Sequence, residues 1–414
     1  MNYHSKLNTC ISGQNLISVD QALNLILDTI QPLDIENINL SDALSRYLAK
    51  SVYSKVNLPF FPQSSVDGYA LYCDSNIEVG TKFKLIGEIR AGQTTELKLQ
   101  TGQAVRIFTG AKIPEGTTTV AAQEMVQHVD SKNIIVLENL ELHTNIRDIG
   151  EEISAGECLG RQGDKLSIGG IAALSMAGIH QVTVYKYPKV VVVITGDEVS
   201  ESVLDLASGK IFDANSPLIY TWFSQRNQQV TIHHVEDNKE DLKVLLNNLS
   251  QNYDLILTTG GVSVGDYDFI RPVALDLGFK QIFWKVKQKP GKPMLFAEFK
   301  KANQSACYLL GLPGNPAAVY VGMQIYTECL LSSLQGQKTQ PKWFQAEICH
   351  DLVGDTRERF LRMVAHFEQA KLTVKSLNKQ HSHMISNLMQ ANCIVRIPPN
   401  TNVAAGQLVQ GIFI

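Results

Sequence analysis

The chain has 414 residues, more than one hydrophobic core usually supports, so two to four domains are expected. Its 37 basic and 40 acidic side chains leave a net charge of −3, which offers no electrostatic footprint for nucleic acid or an anionic membrane; any positive charge that matters must be local. The seven cysteines are odd in number, scattered and never in CxxC spacing, which argues against a disulfide framework or structural zinc. With no signal peptide at the start and no apolar run able to span a bilayer, a soluble cytoplasmic protein is expected.

Residues 18–30 form the first helical pattern: Val19, Ala22, Leu23, Ile26, Leu27 and Ile30 share one face, and Ser18 with Gln21 has capping-box spacing. Residues 41–50 read as a shorter helix. Residues 58–70, LPFFPQSSVDGYA, then leave any regular period, with two prolines fixing the backbone and Asp67-Gly68 marking a turn. An aspartate there is either a turn former or a catalytic carboxylate.

From 82 to 152 the pattern changes to short alternating strands (82–86, 96–99, 134–137) broken by glycines, a small all-β module. Inside it, RIFTGAKIPEG places Thr109-Gly110 between a strand and a proline turn, and NIRDIGEEISA carries Arg147 with Glu151 and Glu152. A helix from Ser167 to a glycine cap at Gly178 follows, and Tyr187-Pro188 marks a boundary.

Residues 189–334 read as a doubly wound α/β domain, because buried strands alternate with amphipathic helices. The expected strands are 190–194, 229–235, 253–259, 281–286 and 306–310. Asn215-Ser216-Pro217 opens a helix in cap-then-N1-proline order, and further helices are expected over 239–249 and 270–277 and from Pro316 to Leu334. The strand 253–257 stops abruptly in TTGGVSVGD, a loop free to take positive φ and turn N–H groups toward an anion. Asp266 and Asp268 there are either ligands or caps of the next helix.

Ligands of open α/β sheets bind at strand carboxyl ends. Those ends supply Thr195-Gly196 with Asp197 and Glu198, then Asp237, the loop of Gly260, Gly261, Ser263 and Gly265, the lysines Lys285, Lys289 and Lys292, and Pro313-Gly314-Asn315. Carboxylates suit Mg²⁺, and lysines with exposed N–H groups suit phosphate or another oxyanion, so one edge offers both cation and anion sites. Neither G-x-G-x-x-G nor a Walker A loop is present, which weakens dinucleotide and P-loop readings. His233-His234 and His381–His383 lack metal-ligand spacing and read as surface histidines.

SVDQALNLIL, LPFFPQSSVDGYA, RIFTGAKIPEG, NIRDIGEEISAGE, TGDEV, TTGGVSVGDYDF, KQKPGKP and LPGNP occur in one order along nearly the whole chain. In this the sequence resembles the MoeA/gephyrin E-domain family of molybdopterin molybdotransferases. The resemblance implies a helical linker and dimerisation domain (1–58 and 150–187), a β-rich lid (59–149), the α/β molybdopterin-binding domain (188–336) and a C-terminal β-barrel (337–414). It implies a cytoplasmic homodimer that inserts molybdate into adenylated molybdopterin and hydrolyses off AMP with Mg²⁺, in partnership with a MogA-like molybdopterin adenylyltransferase.

Carried over by position, the resemblance makes Asp67, Thr109, Glu198, Asp237 and Asp268 catalytic, with Asp67 and Thr109 reaching into the partner subunit's cleft. Glu198, Asp237 and Asp268 become the metal ligands. Substrate contacts fall to Thr195, Gly196, Gly260, Gly261, Ser263, Gly265, Asp266, Lys285, Lys289, Lys292, Pro313, Asn315 and Arg147. Val66 stands where methionine is usual and Glu152 where aspartate is usual. Arg357, Arg359 and Arg362 are either oxyanion holders or a basic strand edge, and 326–334 is apolar enough for a domain or dimer interface. Competing readings are a receptor-anchoring scaffold and a nucleotide pyrophosphatase or amidase built on the same α/β module.

Overall fold

The structure is a computed structural model that describes residues 16–93, 96–196, 199–200, 207–263, 265 and 268–414; Asp197, Glu198 and Asp266 lie outside the described residues. The chain divides into two compact units, Asn37–Val184 and Tyr185–Ile414 together with the residues up to Glu36.

In the larger unit a six-stranded sheet runs in the order Thr231–Val235, Val190–Thr195, Leu255–Thr259, Ala306–Leu312, Leu295–Lys300, Lys280–Trp284. The first four strands are parallel and the last two are antiparallel to their neighbours. Val190–Thr195 is buried along its whole length, as a central parallel strand covered on both faces must be. Its alternate residues divide between two cores. Val192 and Ile194 face Trp222, Phe223 and the first helix, while Val191 and Val193 face Leu242, Leu246 and Ile270. That first helix, Val19–Thr29, starts as its sequence requires: Ser18 Oγ accepts from the Gln21 amide (3.1 Å) and Gln21 Oε1 from the Ser18 amide (2.9 Å).

Leu295–Lys300 is a strand that the sequence reading did not anticipate. Being antiparallel on both sides, it returns the chain so that Trp284, Leu295 and Gly311 stand level in register. The start of this strand therefore shares an edge with the carboxyl ends of the parallel strands. The expected strand 281–286 stops at Trp284 because Lys285 takes a positive φ of 73°.

Past Asn315 the expected single helix is three pieces: Pro316–Gly322, a π turn at Met323–Thr327, and Glu328–Leu334. Tyr326, Leu330 and Leu334 have no exposed surface and share one core with Leu23, Phe360 and Ile394, so 326–334 packs inside its own unit. Five strands, Phe344–Ile348, Glu358–Glu368, Lys371–Ser376, Cys393–Ile397 and Leu408–Phe413, pair in a closed ring, the expected β-barrel. The two-residue strand Gln288–Lys289 joins it parallel to Glu358–Glu368.

The smaller unit carries a six-stranded sheet, Thr119–Ala122, Gly68–Leu71, Gln103–Ile107, Lys82–Ile89, Asn133–Val136, Val126–His128. The helix Ile168–Met176 is capped by Ser167 Oγ, which accepts from the Gly170 amide at 3.1 Å. Two expectations fail here. Residues 41–50 form no helix beyond a single turn at Leu40–Asp42: Ser45 has φ 65°, and the Leu48 and Ala49 amides donate across to Asp164 and Thr183 instead of back along a helix. Residues 96–99 contribute one bridge, Lys98 to Glu115, because Gly92 and Gly102 turn the chain on both sides.

Candidate functional site

The carboxyl edge of the α/β sheet is assembled by backbone contacts. The Gly260 amide donates to Leu312 O at 3.1 Å, joining the glycine loop to Pro313-Gly314-Asn315. Trp284 Nε1 donates to Val262 O at 3.0 Å, bringing Lys285 to the same loop. The glycines are demanded by packing. At Gly260 (φ 86°) a Cβ would stand 2.7 Å from Thr195 Oγ1, and at Gly261 one would stand 2.7 Å from Ile270 Cγ1. Thr195 is nine-tenths buried beneath, and Gly196 follows at φ 138°. The register of Thr195 with Val235 sets the half-buried Asp237 at the outer end of the same edge.

Asp268 closes the glycine loop. Its Oδ2 accepts from the Gly265 amide at 2.6 Å, and it does not cap the next helix, Ile270–Asp276, which begins after Phe269 without a side-chain cap. Ser263 and Gly265 on that loop are exposed.

The three lysines differ in state. Lys285, in its left-handed backbone conformation, places Nζ 3.7 Å from the centre of the Trp284 ring. Lys289 Nζ lies 2.8 Å from Asp355 Oδ2, and this hydrogen bond, followed by one from the Arg357 amide, pulls the Asp355 pKa down to about 2. Lys292 is exposed, and its carbonyl accepts from the Val286 amide.

The three arginines of the barrel separate as well. Arg362 is fully buried and clamps 379–387, donating from Nε to Asn387 Oδ1 and from one terminal nitrogen to Lys379 O, both at 2.8 Å. These bonds tie Arg362 into the barrel, while its other terminal nitrogen is buried without a hydrogen-bond partner among the described residues. Arg359 stands in register with Lys289, and its Nε and one terminal nitrogen are buried without a hydrogen-bond partner among the described residues. A buried guanidinium left so is costly unless something fills it.

The sequence reading missed a second group at this edge. Asp213, with its side chain 9% exposed, accepts through Oδ1 from the Asn215 (2.8 Å) and Ser216 (3.0 Å) amides and so caps the start of the helix Asn215–Ser224. Ser216 Oγ lies 3.2 Å from His234 Nε2, and Asn215 Nδ2 donates to Gly314 O at 2.9 Å. His234 is surface-exposed, as expected, but it stands at the site edge. The Asn-Ser-Pro helix start was the only available signal for this group.

Among the described residues no group of three or more His, Cys, Asp or Glu could hold a metal ion. Two of the three expected metal carboxylates, Asp237 and Asp268, are described. Two more oxygen donors on that edge, the Thr258 and Thr259 hydroxyls, are buried without a hydrogen-bond partner among the described residues, and the His234 imidazole stands there as well. Such a set fits Mg²⁺, which takes one or two carboxylates and completes its shell with water and substrate phosphate.

In the smaller unit, Asp67 and Thr109 are brought together. Asp67 Oδ1 accepts from the Thr109 amide (2.8 Å) and hydroxyl (2.7 Å). The amide first and the hydroxyl second hold the exposed carboxyl below its ordinary value, and Arg106 adds to this. Gly68 beside it admits no side chain: a Cβ would lie 1.9 Å from Ala121 O. The Gly110 amide donates to Ser64 O, and Arg147 pairs opposite Gln63, so Arg147 stands exposed on the neighbouring two-residue strand. Glu152 is exposed, its amide donating to Leu58 O.

Residues 17–178 match the family described as the MoeA N-terminal region (domains I and II), residues 191–332 a probable molybdopterin binding domain, and residues 353–414 the MoeA C-terminal region (domain IV). The chain is 33% identical over 403 residues to the molybdopterin molybdenumtransferase of Haemophilus influenzae, covering 95% of this chain and 98% of that one. It is 32% identical over 408 residues to that of Staphylococcus epidermidis, covering 96% and 95%. The crystal structure of the molybdopterin biosynthesis MoeA protein from Pyrococcus horikoshii OT3 matches with a TM-score of 0.80 at 25% identity, over 97% of this chain and 100% of that one. Matched in three consecutive regions and over nearly its full length, the chain belongs to the MoeA family.

Proposed function

We propose that this protein is a molybdopterin molybdenumtransferase, inserting molybdate into adenylated molybdopterin with release of AMP, the last step of molybdenum cofactor biosynthesis. What supports the reading is the carboxyl edge of the α/β sheet, where the glycine loop closed by Asp268 is bonded to Trp284 beside Lys285, together with Lys289 and Arg359 standing in register on paired strands. Joining two anions demands such an edge, because fixed cations offset the repulsion between them.

In this reading the amides around Gly260, Gly261, Ser263 and Gly265, with Thr195, Gly196, Pro313 and Asn315, cradle the pterin nucleotide. Lys285, Lys289, Lys292 and Arg359 hold the oxyanion. Asp237 and Asp268, with Glu198, would hold Mg²⁺, which when bound neutralises phosphate charge. Asp67, kept ionised by Thr109, and Arg147 act from the second subunit of a homodimer. A MogA-like adenylyltransferase supplies the adenylated substrate, and the work is done in the cytoplasm; among the described residues no helix is long and apolar enough to cross a membrane.

The scaffold and pyrophosphatase or amidase readings draw no support, since the relatives matched over 95% or more of this chain are named as transferases. The test is AMP release by purified protein given adenylated molybdopterin, Mg²⁺ and increasing molybdate. Saturable, molybdate-stimulated release is expected; silence with authentic substrate overturns the proposal.

A further inference from the structure

The π turn at Met323–Thr327 interrupts the helix that leaves the site edge at Pro316. Such turns lose regular hydrogen bonding and recur where function repays the loss. Tyr326, on this turn, has no exposed surface, and its hydroxyl donates to Gln288 Oε1. Gln288 is also fully buried, and its Nε2 donates to Pro290 O and Gly291 O, both at 3.2 Å. Oxygen and nitrogen of this one amide are thus both engaged, the first by the π turn and the second by the turn of KQKPGKP. Gly291 fits tightly over it, since a Cβ there would stand 2.8 Å from Gln288 Nε2.

Gln288 lies inside a run, KQKPGKP, whose three lysines are charged. Side chains alternate along a strand, so an inward Gln288 turns Lys289 outward. Gln288 and Lys289 pair with Glu358 and Arg359, and the Glu358 amide donates to Lys287 O at 3.0 Å. Beneath, Glu358 binds Arg396 Nε at 2.6 Å, and Arg396 reaches Asp20 at 3.0 Å and lies over the Trp343 ring. The polar chain from Tyr326 through Gln288 therefore rests on a buried ion pair and ends at the backbone that carries Lys289.

We infer that Tyr326 and Gln288 are positioning residues for the oxyanion: through the KQKPGKP backbone they hold Lys289 in register with Arg359, so that the two cations converge on an incoming tetrahedral dianion. The inference rests on the proposed function for the identity of that dianion, molybdate.

The experiment compares the full-length wild type with Tyr326→Phe, which removes only the hydroxyl, and Gln288→Met, which removes the amide at similar length. Molybdate Kd is measured by calorimetry without turnover, and KM and kcat from AMP release. Outer-shell partners of this kind change affinity by roughly tenfold or more. Molybdate Kd and KM are expected to rise about tenfold in both variants, with kcat and the KM for the pterin nucleotide within about twofold. Tyr308→Phe is the control, because Tyr308 is equally buried in the same core and its hydroxyl accepts from the Gln31 amide, remote from the lysine run. It should lower thermal stability and leave molybdate binding unchanged. If Tyr326→Phe and Gln288→Met behave like Tyr308→Phe, the inference is wrong. Wild-type protein that binds molybdate without releasing AMP overturns the proposed reaction while the Kd values still judge the positioning chain; wild-type protein that binds no molybdate overturns both.

Discussion

Replacing Gly260 by alanine separates two reasons for a glycine in the central loop. At φ 86° a Cβ costs about 1–2 kcal/mol from the left-handed backbone alone. It would also stand 2.7 Å from Thr195 Oγ1 and 2.9 Å from Thr195 O. The hydroxyl can rotate but the carbonyl cannot, and the loop cannot retreat while the Gly260 amide is bonded to Leu312 O. Overpacking of this kind adds about 1–3 kcal/mol. The sum is about 2–5 kcal/mol, a drop in Tm of roughly 5–15 °C for a unit of this size. Gly278→Ala supplies the reference, because Gly278 has φ 95° with nothing within 4 Å of its Cβ position and carries only the backbone cost. By calorimetry Gly260→Ala should melt well below Gly278→Ala. Its AMP release should fall at least about tenfold, since displaced amides lose the nucleotide, while Gly278→Ala keeps wild-type turnover. Equal melting temperatures, or wild-type release from Gly260→Ala, would refute the claim that the loop is held against Thr195 to present its amides.

Asp67→Ala and Asp268→Ala should each abolish AMP release in folded protein, and Asp268→Ala should also lose the Mg²⁺ dependence of any residual rate; wild-type rates contradict the assignment. Thr109→Val removes the second of the two bonds that depress the Asp67 pKa and leaves the amide. The Asp67 carboxyl, followed by carbon-13 NMR titration, should then titrate at higher pH than in wild type yet below its ordinary value, and an unshifted midpoint is the contrary result. Mixing an Asp67→Ala chain with a Glu198→Ala chain should restore part of the activity if the two residues serve one site from different subunits, and restore none if each site is built within one chain.

Much of this architecture was legible in the sequence because it is written in periods and stops. Val190–Thr195 and Leu255–Thr259 are apolar runs that close in threonine and are followed by glycine, which marks both the strand and the place where it stops. Leu295–Lys300 was missed although it forms a local hairpin with Ala306–Leu312: the five-residue connection has no glycine or Asn-Gly pair to mark the reversal, and Gln304 takes the positive φ instead. Residues 41–50 have helical composition, yet tertiary bonds from Leu48 and Ala49 overrode it. At the site, residue type located Lys289 and Asp268, but could not say that Asp355 holds the first or that the second bonds the Gly265 amide. Arg359 and Arg362 sit in one short run, and only their partners separate them: Arg362 is bonded to Asn387 and Lys379 O in the barrel, while two guanidinium nitrogens of Arg359 are buried without a partner among the described residues. Gln288 passes unremarked within KQKPGKP and Tyr326 within an apolar stretch suited to an interface, and only their hydrogen bond links the two.

The most direct test of the central claim is a single-turnover reaction with adenylated molybdopterin, Mg²⁺ and isotopically labelled molybdate, counting AMP released against molybdenum retained in the pterin product. One molybdenum incorporated for each AMP is the predicted result. AMP released at the same rate without molybdenum retention would make the protein a nucleotide pyrophosphatase and contradict the account.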